Sequence, residues 1–195
     1  MFQPYYNLVK LFRKDAVVSE TSSWIFRATP YITFISVLII SLLVPVLSSQ
    51  VPLNFTGDII LIIYLFALAR FFLVLTSLDT GSAFGGMGGS REMMVSSMAE
   101  PAMILSFFTV ALTVNSTNLS NITSTLLNNS ILLLNPSLIL AFAALTIVLI
   151  AETGRIPVDN PFTHLELTMI HEGMMLEFSG RYLALVEWAS SMKLL

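Results

Sequence analysis

The sequence predicts an all-α, multi-pass transmembrane protein that has four membrane-spanning helices and the start of a fifth. Of its 195 residues, 55% are hydrophobic and 11% are charged, whereas charged residues make up about a quarter of a soluble domain. The mean hydropathy is +0.83, and several apolar stretches approach the roughly 20 residues that a helix needs to cross a bilayer. Since so little polar surface is available to face water, lipid is the expected solvent.

The N-terminal segment is predicted to form an amphipathic helix on a membrane surface. Apolar side chains recur on one side of it at helical spacing: Tyr5, Leu8, Val9 and Phe12. Basic side chains occupy the other side: Lys10, Arg13 and Lys14. Packing of this helix against a soluble domain is the alternative, and the two arrangements are compatible. Because a basic region does not precede an apolar one, the segment is not expected to be a signal peptide.

The predicted spans cover residues 31–47, 59–78, 93–114 and 131–151. Before the third span, a glycine-rich segment at 81–89 is interpreted as a flexible connection, and Ser90 is a plausible N-cap. A nucleotide-binding loop would instead require a preceding β-strand. A fifth apolar run begins near Tyr182 and reaches Leu195 after 14 residues, which is too short for a span, so the sequence is expected to be truncated.

The distribution of basic residues predicts a cytoplasmic N-terminus. Lysine and arginine occur in the connections on one side of the predicted membrane domain and are missing from connections 48–58 and 115–130. The Asn-x-Ser/Thr sequons all fall in those two connections: Asn54, Asn115, Asn118, Asn121 and Asn128. Their glycosylation is left open. The predicted organisation is a cytoplasmic surface helix and connection at 1–29, a four-span membrane domain at 30–152, and a cytoplasmic acidic and histidine-containing coupling connection with the start of a fifth helix at 153–195.

Two ionisable residues lie well inside the predicted spans, Arg70 in the second and Glu100 in the third. A charged side chain at membrane depth costs a few kcal/mol, so such residues face protein or water and often mark a function. Glu100 is therefore predicted to handle protons or ions. The alternative is that it pairs with Arg70 only to hold two helices together. Arg70 is expected to have a carboxylate partner, either Glu100 or Glu152.

The densest group of ionisable residues spans 152–187 and contains both histidines of the chain. If residues 162–178 form one helix, His164 and His171 share one face, and Glu166 and Glu177 share nearly the opposite face. Acids on several sides of a helix indicate a partly wet cavity or a subunit contact, where histidine exchanges protons with carboxylates. A metal site is only weakly indicated, because two histidines without further grouped ligands hold a metal poorly.

Composition excludes several classes of function. Without cysteine, the chain has no disulfides, no thiolate-bound zinc and no cysteine-ligated iron–sulfur cluster. The net charge of −3 and the lack of a basic block argue against a nucleic-acid partner. Any electron transfer is therefore expected to use cofactors held by other subunits.

The segment 151–181 resembles a known family. Its string Asp-Asn-Pro-Phe-Thr-His-Leu-Glu-Leu-Thr-Met-Ile-His-Glu at 159–172 is similar to the ND1-like membrane subunit that respiratory complex I shares with energy-converting hydrogenases. Within that family it resembles most the formate hydrogenlyase and membrane-bound nickel–iron hydrogenase branch. Residues 88–93, 99–101 and 3–12 resemble the family's glutamate-bearing helix and its surface helix.

The resemblance implies a membrane subunit that has no redox centre of its own and couples redox chemistry in a peripheral arm to proton or sodium translocation. Its implied partners are a hydrogenase-like large subunit, an iron–sulfur subunit, antiporter-like membrane subunits and lipid. Iron–sulfur clusters and a nickel–iron centre, or a flavin, are expected in those partners, with no cofactor, metal ligand or catalytic residue in this chain. The implied location is a prokaryotic cell membrane.

The resemblance also implies roles for individual residues. The proton-coupling residues would be Glu100, Glu152, His164, Glu166, His171, Glu172 and Glu177. The charge-pairing or interface residues would be Arg70, Arg91, Arg155, Asp159 and Arg181. Two alternatives stay open: a quinone-chamber subunit of an NADH, ferredoxin or reduced-F420:quinone oxidoreductase, in which the same connection covers the quinone, and a stand-alone ion transporter.

Overall fold

The computed structural model describes residues 3–19, 22–44, 58–154, 158–159 and 169–193. Every regular element within these residues is a helix, which confirms the all-α prediction. The helices are α1 (Gln3–Arg13), α2 (Trp24–Leu43), α3 (Ile59–Asp79), α4 (Ala83–Val114), α5 (Leu119–Asn128), α6 (Pro136–Glu152), α7 (Ile170–Met175) and α8 (Gly180–Met192). A short 3₁₀ helix, Ser130–Leu134, precedes α6.

Three helices, α2, α3 and α4, are long and apolar enough to cross a membrane, with 20, 21 and 32 residues. Helix α6 is equally apolar but has 17 residues. Its predicted span began at residue 131, and the structure starts the α-helix five residues later, at Pro136. The reason is local, since proline favours the first helical position and holds Asn135 in an extended conformation.

The first span also begins earlier than predicted. Ser23 caps α2 by accepting a hydrogen bond from the Ile25 N–H (3.2 Å), so helix formation starts at Trp24. The helix continues through Pro30, its seventh residue, although proline removes one backbone donor there. Hydropathy alone placed the start after this proline.

Residues 83–89 of the glycine-rich segment belong to α4, so the prediction of a flexible connection ending at Ser90 is wrong. Ser82 is the N-cap, and its Oγ accepts a hydrogen bond from the Gly85 N–H at 3.1 Å. The buried glycines face neighbouring helices: Gly85, Gly88 and Gly89. A Cβ atom on Gly88 would lie 3.0 Å from the carbonyl oxygen of Ile170 in α7. Glycine is therefore used here for close helix packing rather than for flexibility.

Segment 162–178 is not one continuous helix, contrary to the sequence-based expectation. Met169 is extended, with ψ of 147°, and α7 covers only the six residues that follow it. Ser179 is again extended, with ψ of 160°, before α8 begins. The faces that were inferred for a single helix therefore do not apply to the residues that the structure describes here.

Helices α1, α2 and α8 pack together through aromatic side chains. Phe26 of α2 stacks on Phe178 with ring centroids 4.6 Å apart and meets the edge of Tyr182 at 6.3 Å. Phe12 of α1 meets the edge of Trp188 of α8 at 6.2 Å. The rest of the apolar face of α1 is largely exposed, as is expected of a helix that lies on a membrane surface.

Asp58, the last residue of the first connection without basic residues, contacts the second such connection at one end of the helices. The Ile59 N–H donates to the Thr117 carbonyl at 3.1 Å, and the Thr117 hydroxyl donates to Asp58 at 3.2 Å. Helix α5 lies in the second of these connections. Their contact is consistent with the predicted alternation of the spans, and which side is cytoplasmic stays a prediction.

Candidate functional site

Arg70 lies near the middle of α3 and is the centre of a buried group of charges. Its side chain is 5% exposed. Its Nη1 lies 3.0 Å from Oε1 of Glu100, its Nε lies 3.6 Å from Oε1 of Glu92, and its Nη2 is ion-paired with Glu152. One guanidinium therefore faces carboxylates from two other helices, α4 and α6.

A second cation completes this group. Lys193, directly after α8, places its Nζ 3.9 Å from Oε1 of Glu152, and its side chain is 14% exposed. We call these five residues the ion cluster: Arg70, Glu92, Glu100, Glu152 and Lys193. With all of its members ionised, the cluster has two positive and three negative charges, a net charge of −1.

Helix geometry explains why these groups meet. Glu92 and Glu100 are eight residues apart on α4, slightly more than two turns, so they lie on similar faces. Helix α4 packs between α3 and α6, which brings that face to Arg70. Glu152 is the last residue of α6, and α8 ends beside it. The ion cluster is therefore assembled from side chains of α3, α4 and α6 and from the residue that follows α8.

Exposure differs strongly among the three carboxylates. The side chain of Glu152 is 8% exposed, that of Glu92 17% and that of Glu100 39%. Removing paired charges from water generally costs as much as the pairing returns, so a buried ion cluster is a poor device for stability alone. An intramembrane cluster of this kind is by default a candidate functional site.

An enclosed cavity of about 20 Å³ lies between the ion cluster and α7. Its ionisable lining consists of Arg70, Glu92, Glu152, His171 and Lys193. This volume suits about one water molecule, which needs polar partners of this kind. The cavity therefore joins a residue of the connection after α6 to the charges between the membrane helices.

His171 borders the cavity as a neutral side chain. Burial lowers its pKa to about 4, and the positive charge of Lys193 acts in the same direction, whereas Asp159 opposes both. At neutral pH the imidazole is therefore uncharged. It can donate one hydrogen bond and accept another, which suits it to orient a water molecule in the cavity.

Asp159 positions α7. It is 2% exposed, and its Oδ2 accepts hydrogen bonds from the N–H groups of Ile170 (3.0 Å) and His171 (3.3 Å). These N–H groups belong to the first turn of the helix, where partners within the helix are lacking. The aspartate therefore fixes the start of α7 against the connection that leads away from α6.

The structure brings some of the predicted site residues together and separates others. Arg70, Glu100 and Glu152 meet in the ion cluster, and His171 and Asp159 lie beside it. Of the other described residues, Arg91, Glu172 and Arg181 are exposed, and Glu177 is half-buried. The Arg181 guanidinium lies 5.5 Å from the centre of the Tyr182 ring. Arg155, His164 and Glu166 lie outside the described residues.

Glu92 and Lys193 belong to the ion cluster and were missed by the sequence analysis. Starting the third span at Met93 left Glu92 in a connection, although its spacing from Glu100 was a usable signal. The sequence pattern places Lys193 in the incomplete fifth helix and gives no sign that it reaches Glu152. Among the described residues, His, Asp and Glu side chains do not form a group of three that can hold a metal ion.

Comparison with known proteins identifies the family. The sequence profile described as NADH dehydrogenase matches residues 1–195, the whole chain. The chain belongs to this NADH dehydrogenase family. Formate hydrogenlyase subunit 4 of Escherichia coli K12 is 37% identical over 99% of the chain and 62% of its own length. Hydrogenase-4 component C of the same organism is 37% identical over 99% of the chain and 60% of its own length.

A solved structure supports the fold of this family member. A chain of the membrane-bound sulfane sulfur reductase, an archaeal respiratory membrane complex, matches with a TM-score of 0.81 and 21% sequence identity. The match covers 99% of this chain and 62% of that one. The chain thus spans about three fifths of the length of the proteins it resembles, and it is a membrane protein of the NADH dehydrogenase family.

Proposed function

We propose that this chain is the membrane coupling subunit of a hydrogenase-like oxidoreductase complex, linking redox chemistry in a peripheral arm to the movement of protons or sodium ions. The observation that carries the proposal is the ion cluster, in which Arg70 holds three carboxylates between membrane helices and shares a small cavity with His171. The two relatives at 37% identity, named as hydrogenlyase and hydrogenase components, favour the hydrogenase branch.

In this proposal, the connection after α6 receives the redox signal and the ion cluster responds. Asp159 and His171 tie that connection to the cavity. A shift of α7 changes the polar lining of the cavity. The Arg70 guanidinium then changes which of its three carboxylates it pairs with most closely. A carboxylate that loses its cation must gain a proton or another cation, because an unpaired buried charge is costly. Glu152 and Glu100 are the carboxylates assigned to this role.

The partners and the location follow from the same proposal. The connection after α6 faces the large subunit and the iron–sulfur subunit of a peripheral arm, and the ion cluster communicates with antiporter-like membrane subunits. The complex lies in a prokaryotic cell membrane with the N-terminus of this chain on the cytoplasmic side. Protease protection of N-terminal and 115–130 epitope tags in oriented vesicles tests that orientation.

A quinone-chamber subunit is the second candidate, and one groove favours it. An apolar groove of about 360 Å³ between α3, α4 and α6 is lined by aromatic and aliphatic side chains and ends at Glu152, Thr153 and Lys193. An apolar groove with a polar end fits an amphipathic ring compound. Turnover that requires added quinone supports this candidate, whereas hydrogen evolution without quinone supports the first.

The test measures ion movement per electron in inverted membrane vesicles that contain the assembled complex. Glu152→Gln is expected to lower translocation at least tenfold while the complex still assembles. Glu100→Gln is expected to have a smaller effect, because Glu100 remains partly hydrated. Asp15→Asn is the matched control, since Asp15 is an exposed carboxylate outside the ion cluster. Unchanged translocation in both glutamine variants refutes the role of the cluster.

Three further measurements complete this test. The coupling role assigned to the connection is tested with Glu166→Gln and Glu172→Gln, made separately. Redox turnover that continues without driving translocation supports that role. Repeating the assay without sodium and with a protonophore identifies the ion. Ion flux through the purified chain alone in liposomes would instead support a stand-alone transporter.

A further inference from the structure

Lys193 is the member of the ion cluster to which the proposed function assigns no role. Its Nζ lies 3.9 Å from one oxygen of Glu152, while Arg70 is paired with the other oxygen. The lysine is largely buried and lines the enclosed cavity. One carboxylate is therefore shared by two different cations that reach it from α3 and from the end of α8.

The two cations differ in what they can do with a proton. A guanidinium stays charged at any pH that a protein tolerates, whereas a buried ammonium readily releases its proton. Of the two cations at Glu152, Lys193 is therefore the one that can change its charge. Among the described residues, the ionisable groups that line the cavity with Lys193 are Arg70 of α3, Glu92 of α4, Glu152 of α6 and His171 of α7, with Asp159 behind His171.

We propose that Lys193 exchanges a proton with Glu92 through the enclosed cavity, an inference that rests on the proposed function. In the forward step, an N–H bond of the ammonium breaks and its electron pair stays on Nζ. The proton passes to water in the cavity and then to the Glu92 carboxylate, forming an O–H bond. Glu152 is then paired with Arg70 alone. The reverse step restores the ammonium and its contact with Glu152.

This assignment explains the arrangement of the cavity. The carboxylate that receives the proton and the amine that gives it border the same water-sized space. His171, which is neutral at neutral pH, can orient the water without competing for the proton. Because Lys193 loses its positive charge as Glu92 loses its negative charge, transfer between them neutralises both side chains and leaves the total charge of the ion cluster unchanged.

The decisive experiment compares Lys193→Arg with Lys193→Met in vesicles that contain the assembled complex. Arginine keeps the positive charge and cannot release the proton, whereas methionine keeps the aliphatic length without the charge. Both variants are expected to lower translocation per electron by about tenfold. Lys14→Arg and Lys14→Met are the controls, because Lys14 is exposed and lies far from the cluster in the sequence.

Each other outcome overturns the inference. If Lys193→Arg behaves like the wild type and only Lys193→Met fails, Lys193 is a counter-ion and exchanges no proton. If both variants behave like the wild type, Lys193 has no part in translocation. Glu152→Gln distinguishes failure of the lysine inference from failure of the proposed function. If only the lysine inference is wrong, Glu152→Gln still lowers translocation.

A second measurement uses the unsubstituted chain, so it does not depend on whether a variant folds. The sequence contains three lysines, Lys10, Lys14 and Lys193, so nitrogen-15 labelling of lysine gives three Nζ signals for the full chain in nanodiscs. Lys10 and Lys14 are exposed and serve as internal references. The Lys193 signal is expected to titrate at a lower pH than the other two. Titration of all three together refutes proton exchange at Lys193.

Discussion

Replacing Arg70 with methionine is the most direct test of how the ion cluster is held. The substitution keeps much of the aliphatic stem of the side chain and removes the charge that three carboxylates share. Glu152, with 8% exposure, is left almost without water, whereas Glu100, with 39%, retains it. Removing one partner of a buried ion pair costs about 3–5 kcal/mol, so we expect a loss of about 4 kcal/mol in the free energy of unfolding.

The pH dependence of this loss identifies its cause. A protonated carboxyl group needs no counter-ion, so the destabilisation of Arg70→Met is expected to shrink by up to about 1.4 kcal/mol for each pH unit below neutrality. The second substitution Glu152→Gln, made in the same chain, is expected to recover part of the loss at pH 7. Lys193 still faces position 152 in these variants, which limits the recovery.

The assay is equilibrium unfolding in bicelles, followed by the helical circular dichroism signal between pH 5 and pH 8. Arg27→Met is the matched control, because Arg27 is an exposed arginine in the first turn of α2, and it is expected to change stability by less than about 0.5 kcal/mol. If Arg70→Met is as stable as this control, or if its loss does not vary with pH, the carboxylates do not depend on Arg70.

Three further predictions concern the surroundings of the cluster. Gly88→Ala is expected to cost about 1–3 kcal/mol, because the new Cβ atom meets the Ile170 carbonyl at 3.0 Å; Gly86→Ala, with open space around its Cβ, is expected to stabilise α4 by about 0.5 kcal/mol in the same unfolding assay. Because the pKa of His171 is lowered from 6.5 to about 4, folding favours its neutral form. The contribution of His171 to stability is therefore full above pH 6.5 and falls as the pH drops towards 4. His171→Gln is expected to remove this pH dependence, and an identical dependence in the variant contradicts the assignment. Asp159→Ala is expected to cost about 1–2 kcal/mol by leaving the first N–H groups of α7 without acceptors, and hydrogen exchange at residues 170–175 that matches the wild type would show that this capping is unimportant.

The main features of the fold could be predicted from the sequence because they depend on local properties. Membrane-length apolar stretches identify α2, α3 and α4 with little reference to the rest of the chain. The error that affected the candidate site arose where one residue type has two uses. Glycine at 81–89 was interpreted as a source of flexibility, whereas Gly85, Gly88 and Gly89 permit close packing. That mistake moved the start of α4 and removed Glu92 from the candidate site.

The sequence by itself determined that the chain enters a membrane, that it is helical, and that an arginine at mid-span requires an acidic partner. These conclusions follow from the transfer of side chains and backbone between water and lipid, which each segment undergoes separately. Only the tertiary structure decided which acids meet Arg70, since the rotation and depth of α4, α6 and α8 depend on contacts between helices. The pairing of Lys193 with Glu152, 41 residues earlier in the chain, is the clearest case: its energy arises only after both helices are packed.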